Sequence, residues 1–91
     1  MPDDLAMRKR RILFRANHRG MKETDMLFGR LAREVLDDLD EAGVAAFERL
    51  LDVPDQEIIA WISGHGPQPQ AARCALGRRL AAMRFDARRP E

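Results

Sequence analysis

Apolar residues recur along most of the chain at the three- and four-residue spacing that is typical of amphipathic helices. Leu27, Leu31 and Val35, for example, follow one another at steps of four, and polar residues fill most of the positions between them. No segment shows the strict alternation of apolar and polar residues that marks a half-buried strand. The pattern therefore predicts an all-α fold, a compact single-domain bundle of five helices joined by short connections.

Capping and helix-breaking residues set the predicted bounds of these helices. Asp3 or Asp4 is suited to cap the first helix, and Gly20 follows its end, where a left-handed backbone commonly closes a helix. Pro54 suits the first turn of the fourth helix, and Gly64 suits its end. We expect the five helices at about residues 4–17, 21–39, 41–51, 54–63 and 70–85.

The length of the chain, 91 residues, predicts one domain with an ordered core at about residues 4–85 and a loose tail at residues 86–91. Cys74 is the only cysteine, so no internal disulfide can form. Apolar runs are too short for a membrane-spanning helix, and the N-terminal segment lacks the apolar stretch of a secretory signal. These features predict a cytoplasmic protein that makes no contact with a membrane.

Charge is distributed unevenly, although the net charge is only +1. Residues 1–33 carry nine Lys or Arg against four acidic residues, residues 34–63 carry one Arg against nine, and residues 64–91 carry six Arg against two. One explanation is that the three segments pack so that opposite charges become neighbours. The other explanation is a basic face that meets an acidic partner.

No group of residues has the composition of a catalytic or metal site. His18 and His65 lie in different predicted loops, with no partnered Ser or Cys nucleophile near either of them. Together with Cys74 they do not show the spacing of metal ligands. The carboxylates of residues 37–41 are interpreted as a solvated helix end and a cap. The sequence thus predicts a protein that is not an enzyme and holds no metal.

Basic residues in the first helix and at its exit raise the alternative of nucleic-acid binding, because such a patch neutralises phosphates. The chain is not strongly basic overall, however, and it has no clear helix-turn-helix pattern. Its aromatic residues fall on predicted core faces rather than on a stacking platform. We therefore regard nucleic-acid binding as the alternative function. The basic residues concerned are Arg8, Lys9, Arg10, Arg11, Arg15, Arg19 and Lys22.

Residues 19–23, Arg-Gly-Met-Lys-Glu, form a predicted tight corner between the first two helices. Gly20 permits a positive φ and keeps the corner small. Glu23 falls near the third position of the next helix, where it can reach back to free amides, and its distance of four residues from Arg19 allows an ion pair. Met21 places a flexible apolar side chain at an exposed corner, which suits an adaptable contact surface. These residue types alone indicate no more than a well-capped helix junction.

The segment 18–25, His-Arg-Gly-Met-Lys-Glu-Thr-Asp, resembles the signature of the SdhE family, the succinate dehydrogenase assembly factors that promote flavinylation. The shared core of that family is Arg-Gly-x-x-Glu. Further on, residues 47–52 (Phe-Glu-Arg-Leu-Leu-Asp), 54–55 (Pro-Asp) and 61–64 (Trp-Ile-Ser-Gly) are similar to the family in order and spacing. The resemblance covers about residues 8–67, which is most of the chain.

This resemblance implies a five-helix bundle that binds the flavoprotein subunit of succinate dehydrogenase and, by extension, that of the related fumarate reductase. It implies that the factor promotes covalent attachment of FAD to a histidine of this client. FAD is then the cofactor of the client, and this chain binds no cofactor stably. The resemblance also implies that the free factor is a monomer. Members of the family have also been described as antitoxin components, so an antitoxin-like module stands beside nucleic-acid binding as the alternative. The implied partner-binding residues are Arg19, Gly20, Met21, Glu23 and Asp25.

Overall fold

The computed structural model describes the backbone of residues 4–88 and the side chains of residues 4–83. The α-helices are α1 Leu5–Ala16, α2 Lys22–Val35, α3 Glu41–Leu51, α4 Asp55–Ile62 and α5 Ala75–Arg88. Two short 3-10 turns, Leu36–Asp38 and Gln70–Ala72, follow α2 and precede α5. No strand occurs among the described residues. The predicted all-α, five-helix, single-domain fold is therefore confirmed.

The second helix occupies the centre of the bundle, where it contacts α1, α4 and α5. Its apolar stripe is buried, and Phe28 and Leu31 have no exposed surface at all. The third helix packs its own stripe, which includes Phe47 and Leu50, against α1 and α5. Helices of 8 to 14 residues are marginal in isolation, so the burial of these stripes is what stabilises them.

The first helix buries a narrower stripe than the sequence predicts. The apolar positions of this helix predict a stripe made of Leu5, Ile12, Leu13 and Ala16. Ile12 and Ala16 are buried, but Leu13 is 42% exposed, and Phe14 is 63% exposed. The prediction that the aromatic residues fall on core faces is therefore wrong for Phe14. Consecutive helical residues lie about 100° apart around the axis, so the face that buries Ile12 and Ala16 turns the two intervening apolar side chains towards solvent.

The second helix ends earlier than predicted. It was expected to reach Leu39, but it stops at Val35, and residues 36–38 tighten into a 3-10 turn. Leu39 is then extended, with φ −77° and ψ 135°, and this brings Asp40 to the start of α3. Asp40 accepts a hydrogen bond from the backbone N–H of Gly43 at 2.9 Å, so the predicted cap of α3 is confirmed. If α2 continued to Leu39, the backbone at Leu39 would be helical and could not place Asp40 as the cap of α3.

The last helix begins later than predicted because the chain turns at Ala72 and Arg73. A 3-10 turn ends at Ala72, and Arg73 leaves helical geometry with φ −84° and ψ 68°. The carbonyl oxygen of Ala72 packs directly against Gly77, where a Cβ atom would lie only 1.8 Å from it. This close approach between two backbone segments requires a glycine. It sets the start of α5 at Ala75.

The ends of the described chain bear on two further predictions. Asp4 accepts a hydrogen bond from the backbone N–H of Met7 at 2.9 Å and caps α1. Asp3, the other candidate cap, lies outside the described residues. The backbone of residues 86–88, which were expected in the tail, continues α5 as a helix, and residues 89–91 lie outside the described part.

Ion pairs connect the three segments of unequal charge. Arg8 in α1 pairs with Glu48 in α3, with a nitrogen–oxygen distance of 2.7 Å. Arg79 in α5 pairs with Glu34 at 3.2 Å and so joins the last segment to the middle one. The explanation that opposite charges become neighbours within the bundle is thereby confirmed.

Candidate functional site

The connection between α1 and α2 forms the predicted corner. Asn17 ends α1, and its backbone N–H donates to carbonyl oxygens of the last helical turn. Gly20 has a φ of 104°, in the left-handed region that favours glycine. Met21 is extended, with φ −120° and ψ 138°, and is the residue from which α2 begins. The tight glycine corner expected from the sequence is therefore present.

The side chain of Arg19 points into the bundle, where only 8% of it is exposed. Its Nε donates to Oδ1 of Asp55 at 2.7 Å, and its Nη2 donates to the carbonyl oxygen of Val53 at 2.6 Å. Its Nη1 donates to the carbonyl oxygen of Leu51. The guanidinium carbon also lies 4.6 Å from the centre of the Phe28 ring, a cation–π contact. Arg19 thus ties the corner to the connection between α3 and α4.

The ion pair between Arg19 and Glu23 that the sequence allowed is not formed, because Asp55 holds the guanidinium instead. Asp55 was not singled out as a site residue. It lies 36 residues after Arg19, in the first turn of α4, where a carboxylate is common because it complements the helix dipole. The only signal available in the sequence was its place in the Pro-Asp element at residues 54–55.

Thr24 and Asp25, rather than Glu23, stabilise the first turn of α2. Thr24 is fully buried, and its hydroxyl donates to the carbonyl oxygen of Met21 at 3.1 Å. Oδ1 of Asp25 accepts a hydrogen bond from the backbone N–H of Arg19. Glu23 is exposed, and its side chain makes no hydrogen bond or ion pair with the described residues. Its expected reach back to the free amides is therefore wrong, since Asp25 binds the amide of Arg19.

The corner presents Gly20, Met21 and Glu23 to solvent. Among the described residues, a Cβ atom built on Gly20 has one non-adjacent atom within 4 Å, Oδ2 of Asp55, at the ordinary contact distance of 3.8 Å. Met21 is 40% exposed, and Met26, five residues later in α2, is 59% exposed. A partner that binds this corner can contact the backbone of Gly20, which carries no side chain, the flexible thioether of Met21 and the carboxylate of Glu23. The thioether of Met26 is exposed on the same helix.

The exposed large apolar side chains of the described part all belong to α1 or to the beginning of α2, and they are Met7, Leu13, Phe14, Met21 and Met26. The ring of Phe14 stacks on His18, with 4.1 Å between centroids and 14° between planes. Both residues line an open groove between the end of α1 and the α3–α4 connection. Exposed apolar side chains that recur on two neighbouring helices of a small protein are typical of a contact surface.

Much of the basic run of α1 is engaged within the molecule. Arg8 pairs with Glu48, Arg15 pairs with Asp52 at 2.8 Å, and Lys9 donates to the carbonyl oxygen of Asp37 at 3.0 Å. Because these side chains already hold acidic or carbonyl groups, the patch offers less charge to phosphates than the sequence indicates.

Neither a metal cluster nor a membrane helix is found in the part of the chain that the structure describes. No three His, Cys, Asp or Glu residues there are grouped so that they could hold a metal ion. No described helix combines the length and the apolar character needed to cross a bilayer. His65 lies 3.1 Å from the hydroxyl of Ser63, but that hydroxyl donates to the carbonyl oxygen of Ile59 at 2.7 Å, which is a helix-end contact.

Residues 10–84 match the model of the Sdh5 family, described as the flavinator of succinate dehydrogenase. The FAD assembly factor SdhE of Acetobacter pasteurianus is 38% identical over 78 residues, which cover 86% of this chain and 72% of the relative. SdhE of Shewanella oneidensis is 42% identical over 63 residues, or 67% of this chain and 77% of the relative. The mitochondrial succinate dehydrogenase assembly factor 2 of Drosophila grimshawi is 36% identical over 69 residues, or 74% of this chain and 47% of the relative. The match thus spans about half of this mitochondrial relative and about a third of the one from Mycosarcoma maydis, at 33%.

Proposed function

This chain belongs to the family of succinate dehydrogenase flavinators, and on that premise we propose that it binds the flavoprotein subunit of succinate dehydrogenase and promotes covalent attachment of FAD to it. The observation that supports the proposal best is the corner itself, where Gly20, with a φ of 104°, directly precedes the exposed residues Met21 and Glu23. The relatives are named assembly factors, which fits a role in binding rather than in catalysis.

In this proposal the FAD and the histidine that it joins both belong to the client. The factor stabilises the client conformation in which flavin and histidine are aligned, so it acts through binding energy alone. Gly20 allows the client backbone to approach closely, Met21 adapts to the client surface, and Glu23 makes a directed polar contact. The factor needs no stably bound cofactor for this task.

Arg19 and Asp25 have a supporting part in the same proposal. Both are engaged on the inside of the corner, Arg19 through its buried guanidinium and Asp25 through the backbone amide of Arg19. They keep the corner in shape, while the exposed residues beside it meet the client. The exposed apolar side chains of Phe14, in α1, and Met26, in α2, add to the contact surface in this proposal.

Gly20→Arg tests the proposal. The full chain or the variant is mixed with the purified apo-flavoprotein subunit and FAD. Complex formation is followed by size-exclusion chromatography and covalent flavin by fluorescence of the denatured client. We expect the wild-type chain to form a one-to-one complex and to speed flavinylation, and Gly20→Arg to lose both effects. A Cβ atom at Gly20 makes only an ordinary contact, 3.8 Å from Oδ2 of Asp55, and a side chain at a positive φ costs about 1–3 kcal/mol, so we expect the variant to stay folded.

Gly64→Arg is the matched control. Gly64 is the other glycine with a positive φ, 84°, and no atom of the described residues beyond its chain neighbours lies within 4 Å of its Cβ position. The Gly64→Arg variant introduces the same residue and a similar backbone strain at the end of α4, outside the corner. We expect this variant to bind the client as the wild type does. If Gly20→Arg promotes flavinylation as well as Gly64→Arg does, the corner is not the client-binding site. Salt-sensitive binding to duplex DNA without any client complex would favour the nucleic-acid alternative. The fumarate reductase flavoprotein, assayed in parallel, tests whether the factor has a second client.

A further inference from the structure

Asp55 contacts the corner from a distant part of the sequence. Its Oδ1 lies 2.7 Å from both Nε and Nη2 of Arg19. Its Oδ2 lies 3.8 Å from the Cβ position of Gly20. One carboxylate at the start of α4 therefore lies against two successive residues of the corner, and its side chain is only 14% exposed.

We propose that Asp55 is a positioning residue for client binding. It fixes the guanidinium of Arg19, and Arg19 in turn fixes the backbone at Gly20 in the shape that the client meets. This inference rests on the proposed function and adds to it a residue outside the Arg-Gly-x-x-Glu motif.

The electrostatics of Arg19 make Asp55 necessary for this geometry. A guanidinium that is 8% exposed has lost most of its hydration, and a buried charge persists only when it is paired and hydrogen-bonded. The carbonyl oxygens of Leu51 and Val53 accept two of its hydrogen bonds but carry only partial charges. Without the carboxylate, Arg19 gains by turning outwards to water. The backbone at Arg19 is then held only by the hydrogen bond from its N–H to Asp25.

Asp52 provides a matched control on the same connection between α3 and α4. It pairs with Arg15 at 2.8 Å, but the two side chains are 71% and 45% exposed. Exposed ion pairs of this kind contribute little to stability because water and salt screen them. Removal of the Asp52 charge therefore changes the local net charge as much as removal of the Asp55 charge does, without uncovering a buried guanidinium.

The experiment compares Asp55→Asn with Asp52→Asn in the full, ¹⁵N-labelled chain. Titration calorimetry with the apo-flavoprotein subunit gives the affinity, circular dichroism gives the helix content, and the amide resonances of Gly20 and Met21 report the shape of the corner. We expect Asp55→Asn to weaken client binding at least tenfold and to move both resonances while the helix content is retained. We expect Asp52→Asn to change neither the affinity nor these resonances.

Wild-type affinity in folded Asp55→Asn overturns the inference. So does weaker binding with unmoved Gly20 and Met21 resonances, because Asp55 then acts on the client in some other way. If Asp55→Asn loses its helical signal, Asp55→Glu decides, since it keeps the charge and displaces the carboxylate by one methylene group. A folded Asp55→Glu that binds the client at least threefold more weakly supports the inference. Wild-type affinity, or loss of helix in this variant too, overturns it.

The Gly20→Arg assay separates this inference from the proposed function. If Gly20→Arg abolishes the client complex but Asp55→Asn does not affect it, only the role of Asp55 is wrong. If Gly20→Arg also binds as the wild type does, the client-binding role of the corner is wrong, and the positioning role falls with it.

Discussion

The guanidinium of Arg8 donates two hydrogen bonds to the carboxylate of Glu48, with nitrogen–oxygen distances of 3.2 and 2.7 Å. These bonds join the basic first helix to the acidic middle of the chain. They are the main reason why the pKa of Glu48 lies below its ordinary value of 4.5. The stability that they contribute is therefore present above that ordinary pKa and is lost as the pH falls through the lowered one.

We expect Glu48→Gln to reduce the Tm at neutral pH, because the variant cannot form the charged contact with Arg8. As the pH falls below 4.5 and through the lowered pKa, the wild-type carboxylate takes up a proton and loses its charge, so the difference in Tm between the two proteins should be smaller at acid pH than at neutral pH. Thermal unfolding followed by circular dichroism at both pH values measures this difference. An equally large difference at both pH values would show that Glu48 stabilises the bundle by packing rather than by its charge.

Gly77→Ala should destabilise the bundle by about 2–3 kcal/mol, although alanine is the better helix former. The added Cβ lies 1.8 Å from the carbonyl oxygen of Ala72 and 2.6 Å from its carbonyl carbon, and both are backbone atoms that cannot rotate away. For a domain of this size, such a loss lowers the Tm by about 10 °C or more. Denaturant and thermal unfolding measure the effect.

Gly29→Ala is the control for this change. A Cβ on Gly29 also meets a close atom, Oδ1 of Asn17 at 2.6 Å, but this atom is the end of an exposed side chain that can turn towards solvent. We expect the free energy of unfolding of Gly29→Ala to stay within about 1 kcal/mol of the wild-type value. Equal losses in both variants would mean that the contact between Ala72 and Gly77 does not govern how α5 packs.

Glu23→Ala should weaken client binding about tenfold while the helix content stays unchanged. Glu23 is exposed in the first turn of α2 without a partner among the described residues, so its removal costs the fold at most about 1 kcal/mol of favourable interaction with the helix dipole. Glu57→Ala is a suitable control, because Glu57 is an exposed carboxylate in the first turn of α4. Calorimetry with the flavoprotein subunit and circular dichroism give the two quantities. Substantial loss of helix in Glu23→Ala alone would instead assign Glu23 to capping.

Elements defined by neighbouring residues could be predicted from the sequence. The bounds of α3, Glu41–Leu51, agree with the prediction because Asp40 supplies a cap next to the helix that it starts. The positive φ of Gly20 could be predicted for a similar reason, since a glycine after an amphipathic run is a local signal. The start of α5 was not predicted correctly, because the 3-10 turn at Gln70–Ala72 and the close packing of Ala72 against Gly77 are not marked by a local sequence signal.

The orientation of Arg19 also depends on tertiary structure. Glu23, four residues away, and Asp55, 36 residues away, are both carboxylates, and the local spacing favoured the wrong one. Asp55 is the partner because it approaches together with the carbonyl groups of Leu51 and Val53, and three acceptors suit a planar guanidinium with several donors. The prediction for Phe14 failed for a different reason, since two steps of about 100° from Ile12 carry its side chain from the core face to the opposite, exposed face of α1.

The dependence of Arg19 on Asp55 determines when the corner can fold during synthesis of the protein. A nascent chain that has left the ribosome only as far as α3 already contains the whole Arg-Gly-x-x-Glu motif, but it lacks the carboxylate that holds the arginine. The motif thus takes its described geometry only after α4 has emerged and packed. A client that recognises this geometry does not bind an unfinished or unfolded factor. The long-range ion pair therefore restricts client binding to the folded protein.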